Sequence, residues 1–302
     1  MLRPFALHRP SSLHEAGALL AALGGDAALY AGGTELLQLM KEGLLRVGAL
    51  IDLKRVPGLG DVRIEDGGVV IGATARHRTV ERSPVVIAAC PIVARVAQHV
   101  ANVRVRNVGT VGGNLAFADP HSDLATLFLA LDATVRLWRG GAEREVPLAG
   151  FVRGAYETGR QEDEILTAVR IRPWPSGTVA TYVKFGMYER PTVAVALALM
   201  LDAAGREVVD ARITVGCVGP RPQRFPRAER LARGRAVSDV VADAASLAAA
   251  AAEEVEPADD LHGSAEYKRE MARVFVGRAL RVVGARATGQ EHHAEYRHTV
   301  IV

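Results

Sequence analysis

Two glycine-rich segments carry the residue types in this sequence that could do chemistry. The first runs from Ala31 to Glu35 with the sequence AGGTE, and the second runs from Asn107 to Asn114 and holds three glycines within five positions. Because glycine has no side chain, the backbone amides of such loops can close around an anion. A helix that starts directly after a loop adds its own unsatisfied amides and the positive end of its dipole.

Each segment taken alone also fits a tight turn between packed elements, with Thr34 as a helix cap in the first. The first loop matches neither of two familiar nucleotide motifs, because no Gly-Lys-Ser/Thr follows it and the GxGxxG spacing is missing. A diphosphate has two phosphoryl groups, and two glycine loops suit it better than one. The pair therefore favours a diphosphate-containing ligand.

An acidic segment follows the second loop, with Asp119 and Asp123 on either side of Pro120 and His121. Either carboxylate could accept hydrogen bonds from a ribose or an adenine. A carboxylate in the first turn of a helix is also ordinary capping chemistry, and Pro120 suits such a first turn. His121 is expected to be a surface histidine.

Familiar catalytic and metal-binding patterns are missing from the sequence, which has no GxSxG, no HExxH and no cysteine–histidine pair in a known context. Cys90 and Cys217 are far apart and are expected to be plain thiols. They are too few for an iron–sulfur cluster, which needs about four thiolates. His292, His293 and His298 lie in a polar terminal stretch, where solvated side chains are expected. Anion-binding loops without acid–base machinery are typical of a cofactor carrier.

Strands and helices must hold these loops in place. We predict a strand over residues 27–30 before the first loop and a helix over 35–42 after it. Residues 173–177, with two prolines and a glycine in five positions, interrupt regular structure and predict a domain boundary. Strands and then helices follow, which indicates an α+β arrangement: strands at 180–185, 193–202 and 208–218, and helices at 228–233, 242–255 and 267–283. The final stretch, residues 288–302, is polar and is expected to be poorly ordered.

Composition and charge restrict the class of protein. Of the 302 residues, 49% are hydrophobic and 24% are charged, which is typical of a globular protein. The net charge of +3 comes from scattered basic residues, which is not the pattern of a nucleic-acid-binding protein. The N-terminal stretch lacks the apolar region of a signal peptide, and no apolar run is long enough to span a membrane. We therefore expect a cytoplasmic location.

At the glycine loops the sequence resembles a known family, the FAD-binding (medium) subunit of carbon monoxide dehydrogenase and xanthine dehydrogenase, which are molybdenum hydroxylases. The resemblance covers nearly the whole chain, and its motifs keep their order. They are AGGTELLQLMKEG, LIDLKRVPGL, IGATARHRTVERSP, VRNVGTVGGNLAFADPHSDLATLFLALDA, DEILTAVRIRP, YVKFGMYERPTVAVALAL and, more faintly, EYKREMARVFVGRALRVV.

The resemblance implies an α+β fold with two parts. An FAD-binding domain of the vanillyl-alcohol oxidase (PCMH) type would take up residues 1–176, with subdomains of about 1–56 and 57–176. A carbon monoxide dehydrogenase flavoprotein-like C-terminal domain, an α+β domain with a three-stranded antiparallel sheet, would take up residues 177–287. A tail would follow over residues 288–302.

The resemblance also implies which residues contact FAD. Asp123 corresponds to a cofactor-contacting aspartate, Leu166 to an apolar residue near the isoalloxazine ring, and Lys184 to a lysine near the flavin. Tyr188 could stack on the ring. No catalytic or metal-binding residue is implied. Both glycine loops would hold the diphosphate, through Ala31, Gly32, Gly33, Thr34, Glu35 and Leu36 of the first and Thr110, Val111, Gly112, Gly113 and Asn114 of the second.

Relatives of this kind work as oxidoreductases within a complex. The resemblance implies a molybdenum-binding large subunit and a small subunit with [2Fe-2S] clusters as partners, in a dimer of heterotrimers. Electrons would pass from those clusters through FAD to NAD, a quinone or oxygen. Two alternatives stay open, a self-contained flavoenzyme of the same fold and a flavin-free scaffold subunit. The substrate is not readable from this chain.

Overall fold

The computed structural model describes residues 2–187, 189–290 and 295–302, so that Tyr188, His292 and His293 lie outside the described residues. The chain divides into two units. The first holds the chain up to Ala118 together with Ala133–Arg172, and the second holds Asp119–Asp132 together with the chain from Pro173 onward. Helices and sheets are mixed in both units, which confirms the predicted α+β class.

A parallel sheet of three short strands begins the first unit. Its strands are β1 (Ala6–His8), β2 (Ala27–Tyr30) and β3 (Ala49–Asp52), in the order β1-β3-β2. The connections contain the helices α1 (Leu13–Leu23) and α2 (Leu36–Glu42). One face of α1 is apolar, and its buried Ala16 and Leu20 pack with Ile51 of β3 in a small core. Because the strands are parallel, β2 and β3 end at the same edge of the sheet.

An antiparallel sheet of five strands completes the framework of the first unit, in the order β4-β5-β10-β6-β7. The central strand β10 is buried along almost its whole length, as expected for a strand with neighbours on both sides. The strands are β4 (Val62–Glu65), β5 (Gly68–Gly72), β6 (Thr134–Arg139), β7 (Ala142–Pro147) and β10 (Ile165–Ile171).

Short helices and a two-stranded hairpin are inserted in the chain between the strands of this sheet. They are α3 (His77–Arg82), α4 (Pro84–Ala89), α5 (Pro91–Gln98), α6 (Val103–Val108), α7 (Val111–Phe117) and α9 (Leu148–Phe151), with the hairpin strands β8 (Val152–Gly154) and β9 (Glu157–Thr158). The second glycine segment is therefore not one loop. Its first two residues end α6, Gly109 and Thr110 form the link, and the rest belongs to α7.

The second unit is built on an antiparallel sheet in the order β14-β13-β12-β11-β15. The three long strands form the predicted three-stranded sheet, which is extended at each edge by a short strand. The strands are β11 (Thr178–Phe185), β12 (Val193–Leu201), β13 (Val208–Gly216), β14 (Gln223–Arg224) and β15 (Thr299–Ile301). The central strand β12 is an apolar run that is buried on both faces, which matches its lack of polar alternation.

Five helices of the second unit accompany this sheet: α8 (Asp123–Ala130), α10 (Pro226–Ala232), α11 (Val237–Ala242), α12 (Ala244–Glu254) and α13 (Ala265–Ala287). A large core cluster joins β11, β12 and β13 to α10–α13. No helix in the described part of the chain is long and apolar enough to cross a membrane.

Two expectations about local structure are wrong. The terminal stretch is not poorly ordered throughout, because β15 pairs with β11 and Val302 is buried. The carbonyl oxygen of Val302 accepts a hydrogen bond from the hydroxyl of buried Thr181 at 2.9 Å. Pro120 does not lie in the first turn of a helix, because α8 begins three residues later at Asp123.

Candidate functional site

The first glycine loop leaves the carboxyl end of β2, beside the carboxyl end of β3. Lys54 follows β3 and reaches across to this loop, where its Nζ donates to the carbonyl oxygen of Ala31 at 3.0 Å. The same Nζ lies 2.7 Å from Oδ1 of Asp52 and 3.7 Å from the centroid of the Tyr30 ring. Three contacts of one ammonium group therefore fix the start of the loop.

Both glycines of the first loop are required by the backbone geometry. Gly33 has φ +73°, in the left-handed region, and a Cβ there would lie 2.4 Å from Cε2 of Tyr30. A Cβ on Gly32 would lie 2.4 Å from the carbonyl oxygen of Val108, which ends α6. The first loop therefore contacts the second segment directly through its backbone.

The amides of the first loop are available to a ligand. Within the described part of the chain, the amides of Gly32, Gly33 and Thr34 donate to no protein acceptor. Thr34 does not cap α2, because Glu35 occupies the cap position and makes no capping hydrogen bond with its side chain. Amides at the start of a helix need an acceptor from elsewhere. Three neighbouring amide donors without an acceptor in the described residues are suited to binding an anion.

The second glycine segment differs, because most of its amides already have partners. The hydroxyl of Thr110 caps α7 by accepting from the Gly113 amide at 3.1 Å. The amide of Val111 donates to Ala75 O at 3.0 Å, and that of Gly112 donates to Ala73 O at 2.9 Å. We expected unsatisfied amides in both loops. Among the described residues the first loop provides three neighbouring ones, whereas between Gly109 and Asn114 the amide of Thr110 alone has no protein acceptor. The second loop forms a wall beside it.

Leu166 is buried in β10 and lies near this wall. The amide of Ala73, whose carbonyl binds Gly112, donates in turn to Thr167 O at 2.8 Å. The pairing of β10 with β6 is irregular at this point, between Leu166 and Ala168. The bond from Ala73 to Thr167 lies on the other side of β10, where it continues the regular register that places Ala168 opposite Gly72 of β5. The first unit thus brings together all three of its predicted segments.

His77 was missed by sequence reasoning, although it supports the second segment. Its amide donates to Gly109 O at 3.0 Å, and its ring is nearly fully buried. Nδ1 of the ring is buried without a hydrogen-bond partner in the described residues. Burial, with a smaller contribution from the charge of Arg106, lowers the pKa of His77 to about 4. The ring is therefore neutral near pH 7.

In the second unit, Asp123 is the first residue of α8 and its carboxylate is buried. Oδ2 lies 2.8 Å from Nζ of Lys184, and Oδ1 accepts a hydrogen bond from the hydroxyl of Tyr182 at 2.7 Å. Tyr182 and Lys184 are two residues apart on β11, so both project from the same face of the strand. The structure therefore brings together Asp123 and Lys184, which were each predicted to contact the cofactor. The capping role considered for Asp123 falls to Ser122 instead.

The tyrosine was missed although a sequence signal existed. Alternation along a strand puts Tyr182 on the face that carries the predicted Lys184. Burial, and next the charge of Asp123, raise the pKa of Tyr182 well above its usual value. The phenol therefore stays protonated and acts as a donor to the carboxylate.

His121 is not the surface histidine that we expected. Its side chain is 9% exposed. Nδ1 lies 2.7 Å from the carbonyl oxygen of Pro191, and Nε2 lies 3.1 Å from Oδ2 of Asp260. Asp119, which precedes it, pairs with Arg190 at 2.9 Å. The segment before α8 is thus held from two directions within the second unit.

The chain is similar over almost its whole length to known flavoprotein subunits. The family described as the FAD binding domain in molybdopterin dehydrogenase matches residues 3–175. The family described as the CO dehydrogenase flavoprotein C-terminal domain matches residues 187–283. The carbon monoxide dehydrogenase medium chain of Hydrogenophaga pseudoflava is 36% identical over 282 residues, which cover 93% of this chain and 98% of the relative. The nicotine 6-hydroxylase medium subunit of Paenarthrobacter nicotinovorans is 33% identical, with coverages of 92% and 96%.

A solved structure extends the likeness to three dimensions. Carbon monoxide dehydrogenase from Hydrogenophaga pseudoflava, in a form that lacks the Mo-pyranopterin moiety of the molybdenum cofactor, contains a chain that matches with a TM-score of 0.89 at 36% identity. The match covers 95% of this chain and 99% of that chain. The predicted fold is thereby confirmed.

Proposed function

The chain belongs to the family of FAD-binding subunits of molybdopterin dehydrogenases, and from this membership we propose that it binds FAD and passes electrons from the iron–sulfur clusters of a partner subunit to an external acceptor. Its family consists of oxidoreductase subunits that act in complexes. The observation that carries the proposal is the first glycine loop, where the amides of Gly32, Gly33 and Thr34 find no acceptor among the residues that the structure describes.

The residues of the first unit fit the diphosphate of FAD. The three free amides of the first loop would donate to its oxygens, and Lys54 would keep the loop in position through Ala31. The second segment, Thr110 to Asn114, would bound the diphosphate on its other side, with amides that mostly serve to hold α7 in place. Leu166 would offer an apolar surface. The two segments are therefore rich in glycine for different reasons: the first exposes amide donors, and the second packs closely against neighbouring backbone.

Asp123 and Lys184 are further residues that we propose to contact the cofactor. We assign to Asp123 the acceptance of hydrogen bonds from cofactor hydroxyls, and to Lys184 a positive charge near the flavin. FAD itself, when bound, supplies a group that exchanges electrons with donors and acceptors. The protein residues bind and orient it, and none of them forms a covalent bond in this scheme.

Partner subunits must provide the other redox centres. The sequence has two cysteines, whereas an iron–sulfur cluster needs about four thiolates. Both cysteines are also buried and free. We propose a small [2Fe-2S] subunit and a molybdenum-binding large subunit as partners, in a dimer of heterotrimers. The relatives named above are medium subunits of enzymes that are named for chemically different substrates, carbon monoxide and nicotine. We therefore assign the choice of substrate to the large subunit.

Purification of the chain alone and with its partners tests the proposal. We expect a yellow complex with one FAD per copy of this chain, and substrate oxidation by the complex only. Oxidation of an organic substrate by the isolated chain would favour a self-contained flavoenzyme. An intact complex without FAD would contradict the proposal and favour a scaffold. Reoxidation of the substrate-reduced complex by NAD, a quinone or oxygen, each added separately, would identify the acceptor.

A further inference from the structure

Asp123 stands out among the buried carboxylates because one strand supplies both of its side-chain partners. Tyr182 donates to Oδ1 at 2.7 Å and Lys184 binds Oδ2 at 2.8 Å. Burial of a carboxylate is costly unless its oxygens are bonded. The lysine neutralises the charge, and a single ammonium contact leaves the carboxylate free to turn about its side-chain bonds. The second contact, from the phenol, removes that freedom.

We propose that Tyr182 is a positioning residue for FAD, which acts on the cofactor through Asp123. The inference rests on the proposed function, in which Asp123 contacts the cofactor. The phenol fixes the plane of the carboxylate and holds Oδ1, so that the remaining lone pairs of both oxygens point in set directions. A carboxylate oxygen can accept two hydrogen bonds, so the contact with Tyr182 does not exclude a further donor.

The surroundings of the phenol match this role. Tyr182 is 1% exposed, and its partner Asp123 is 5% exposed. The hydroxyl therefore cannot exchange this bond for one to water. Its backbone is also fixed, because its amide donates to Val302 O at 3.1 Å and its carbonyl accepts from the Val302 amide at 2.8 Å. Cys217 is buried nearby, and burial raises the pKa of its thiol, so it adds no competing charge.

The test compares two variants of neighbouring residues on β11. Tyr182→Phe removes the hydroxyl and keeps the ring. Thr181→Val is the matched control, because Thr181 is equally buried and loses a hydrogen bond to Val302 O instead. Each variant is made in the full chain within its complex, which is stripped of FAD and titrated with FAD while flavin fluorescence is followed. The melting temperature is measured alongside.

We expect Tyr182→Phe to weaken FAD binding by about 10- to 20-fold, the lower part of the range for a hydrogen bond to a charged group. Thr181→Val should lower the melting temperature about as much as Tyr182→Phe does, and it should leave the FAD affinity unchanged.

A double-mutant cycle separates an effect through Asp123 from an effect of packing. If Tyr182 acts through Asp123, the double variant Asp123→Asn with Tyr182→Phe should bind FAD about as weakly as Asp123→Asn alone. Multiplying effects would overturn the inference, as would an unchanged affinity in Tyr182→Phe. An unchanged affinity in Asp123→Asn would overturn it too, while FAD binding through the glycine loop would stand. A wild-type complex that takes up no FAD would instead overturn the proposed function.

Discussion

Gly32 lies directly against the carbonyl oxygen of Val108. A Cβ added to Gly32 would lie 2.4 Å from that oxygen and 2.8 Å from Cα of Gly109. Neither atom can move easily, because both belong to the backbone that links α6 to α7. The two glycine segments are therefore joined by contact between their main chains. This contact puts the free amides of the first loop next to the wall formed by the second.

Gly32→Ala should consequently reduce FAD affinity more than it reduces stability. The new methyl group must push the first loop away from Val108, which moves the donors of Gly33 and Thr34. We expect a loss of at least about tenfold in affinity, equivalent to roughly 1.4 kcal/mol. Fluorescence titration of the FAD-free complex measures it. Gly25→Ala is the control, since a Cβ there meets nothing within 4 Å. Equal affinities of both variants and the wild type would contradict the cradle assignment.

Lys54→Met tests the anchor at the start of the first loop. The substitution removes the bond to Ala31 O and the contact with the Tyr30 ring. We expect FAD affinity to fall by about 3- to 10-fold, in line with the loss of one partly exposed charge-assisted hydrogen bond. Lys41→Met is the control, because it removes the same charge from the exposed end of α2. If both variants weaken FAD binding equally, the loss of positive charge is the cause, and the bond of Lys54 to Ala31 O is not.

The first glycine loop shows what local sequence patterns can predict. The strand over Ala27–Tyr30 agrees with its predicted bounds, and α2 begins one residue after its predicted start. An apolar run, two glycines and an amphipathic stretch are consecutive in the chain, so that no long-range information is needed. The long strands of the second unit lie close to their predicted ranges, and β12 is a continuous apolar run. Their assembly into a three-stranded sheet was expected from the family resemblance.

The second segment shows why other features could not be predicted. Its amides bind Ala73 and Ala75, which follow a strand of a different part of the chain. No local pattern tells whether a glycine amide faces a ligand or another backbone carbonyl. The strand β7 was missed because its exposed, charged residues lack apolar alternation. Tyr182 could be assigned to the face of Lys184 from strand alternation, whereas its contact with Asp123 depends on tertiary packing.

His77 should make the stability of the protein dependent on acid. Its pKa is about 4 in the folded protein, compared with 6.5 for a free histidine. Between these values the unfolded chain binds the proton and the folded one does not, so stability is complete above pH 6.5 and falls as the pH drops toward 4. The lost free energy of unfolding is about 3 kcal/mol in total.

His77→Gln should remove this part of the pH dependence. Urea unfolding of wild type and variant at several pH values between 7 and 4 measures the difference in slope, to which other titrating groups contribute equally in both proteins. His14→Gln, a change of an exposed histidine on α1, should keep the wild-type slope. A wild-type slope in His77→Gln would show that the buried ring is not the source.

Lys268→Met should destabilise the second unit, because Lys268 is 1% exposed and holds a loop that precedes α13. Its Nζ lies 2.5 Å from Oδ2 of Asp260 and donates to Ala258 O at 3.0 Å. Removal of the ammonium leaves the carbonyl without its donor and the carboxylate with His121 as its other side-chain partner. We expect a loss of roughly 2–3 kcal/mol, below the full value for a buried pair because Asp260 is partly exposed. Thermal unfolding measures this loss of stability.

Arg273→Met is the control variant. It breaks an exposed pair with Glu270 on the same helix and should change stability little. Equal losses in both variants would mean that the buried position of Lys268 has no special weight.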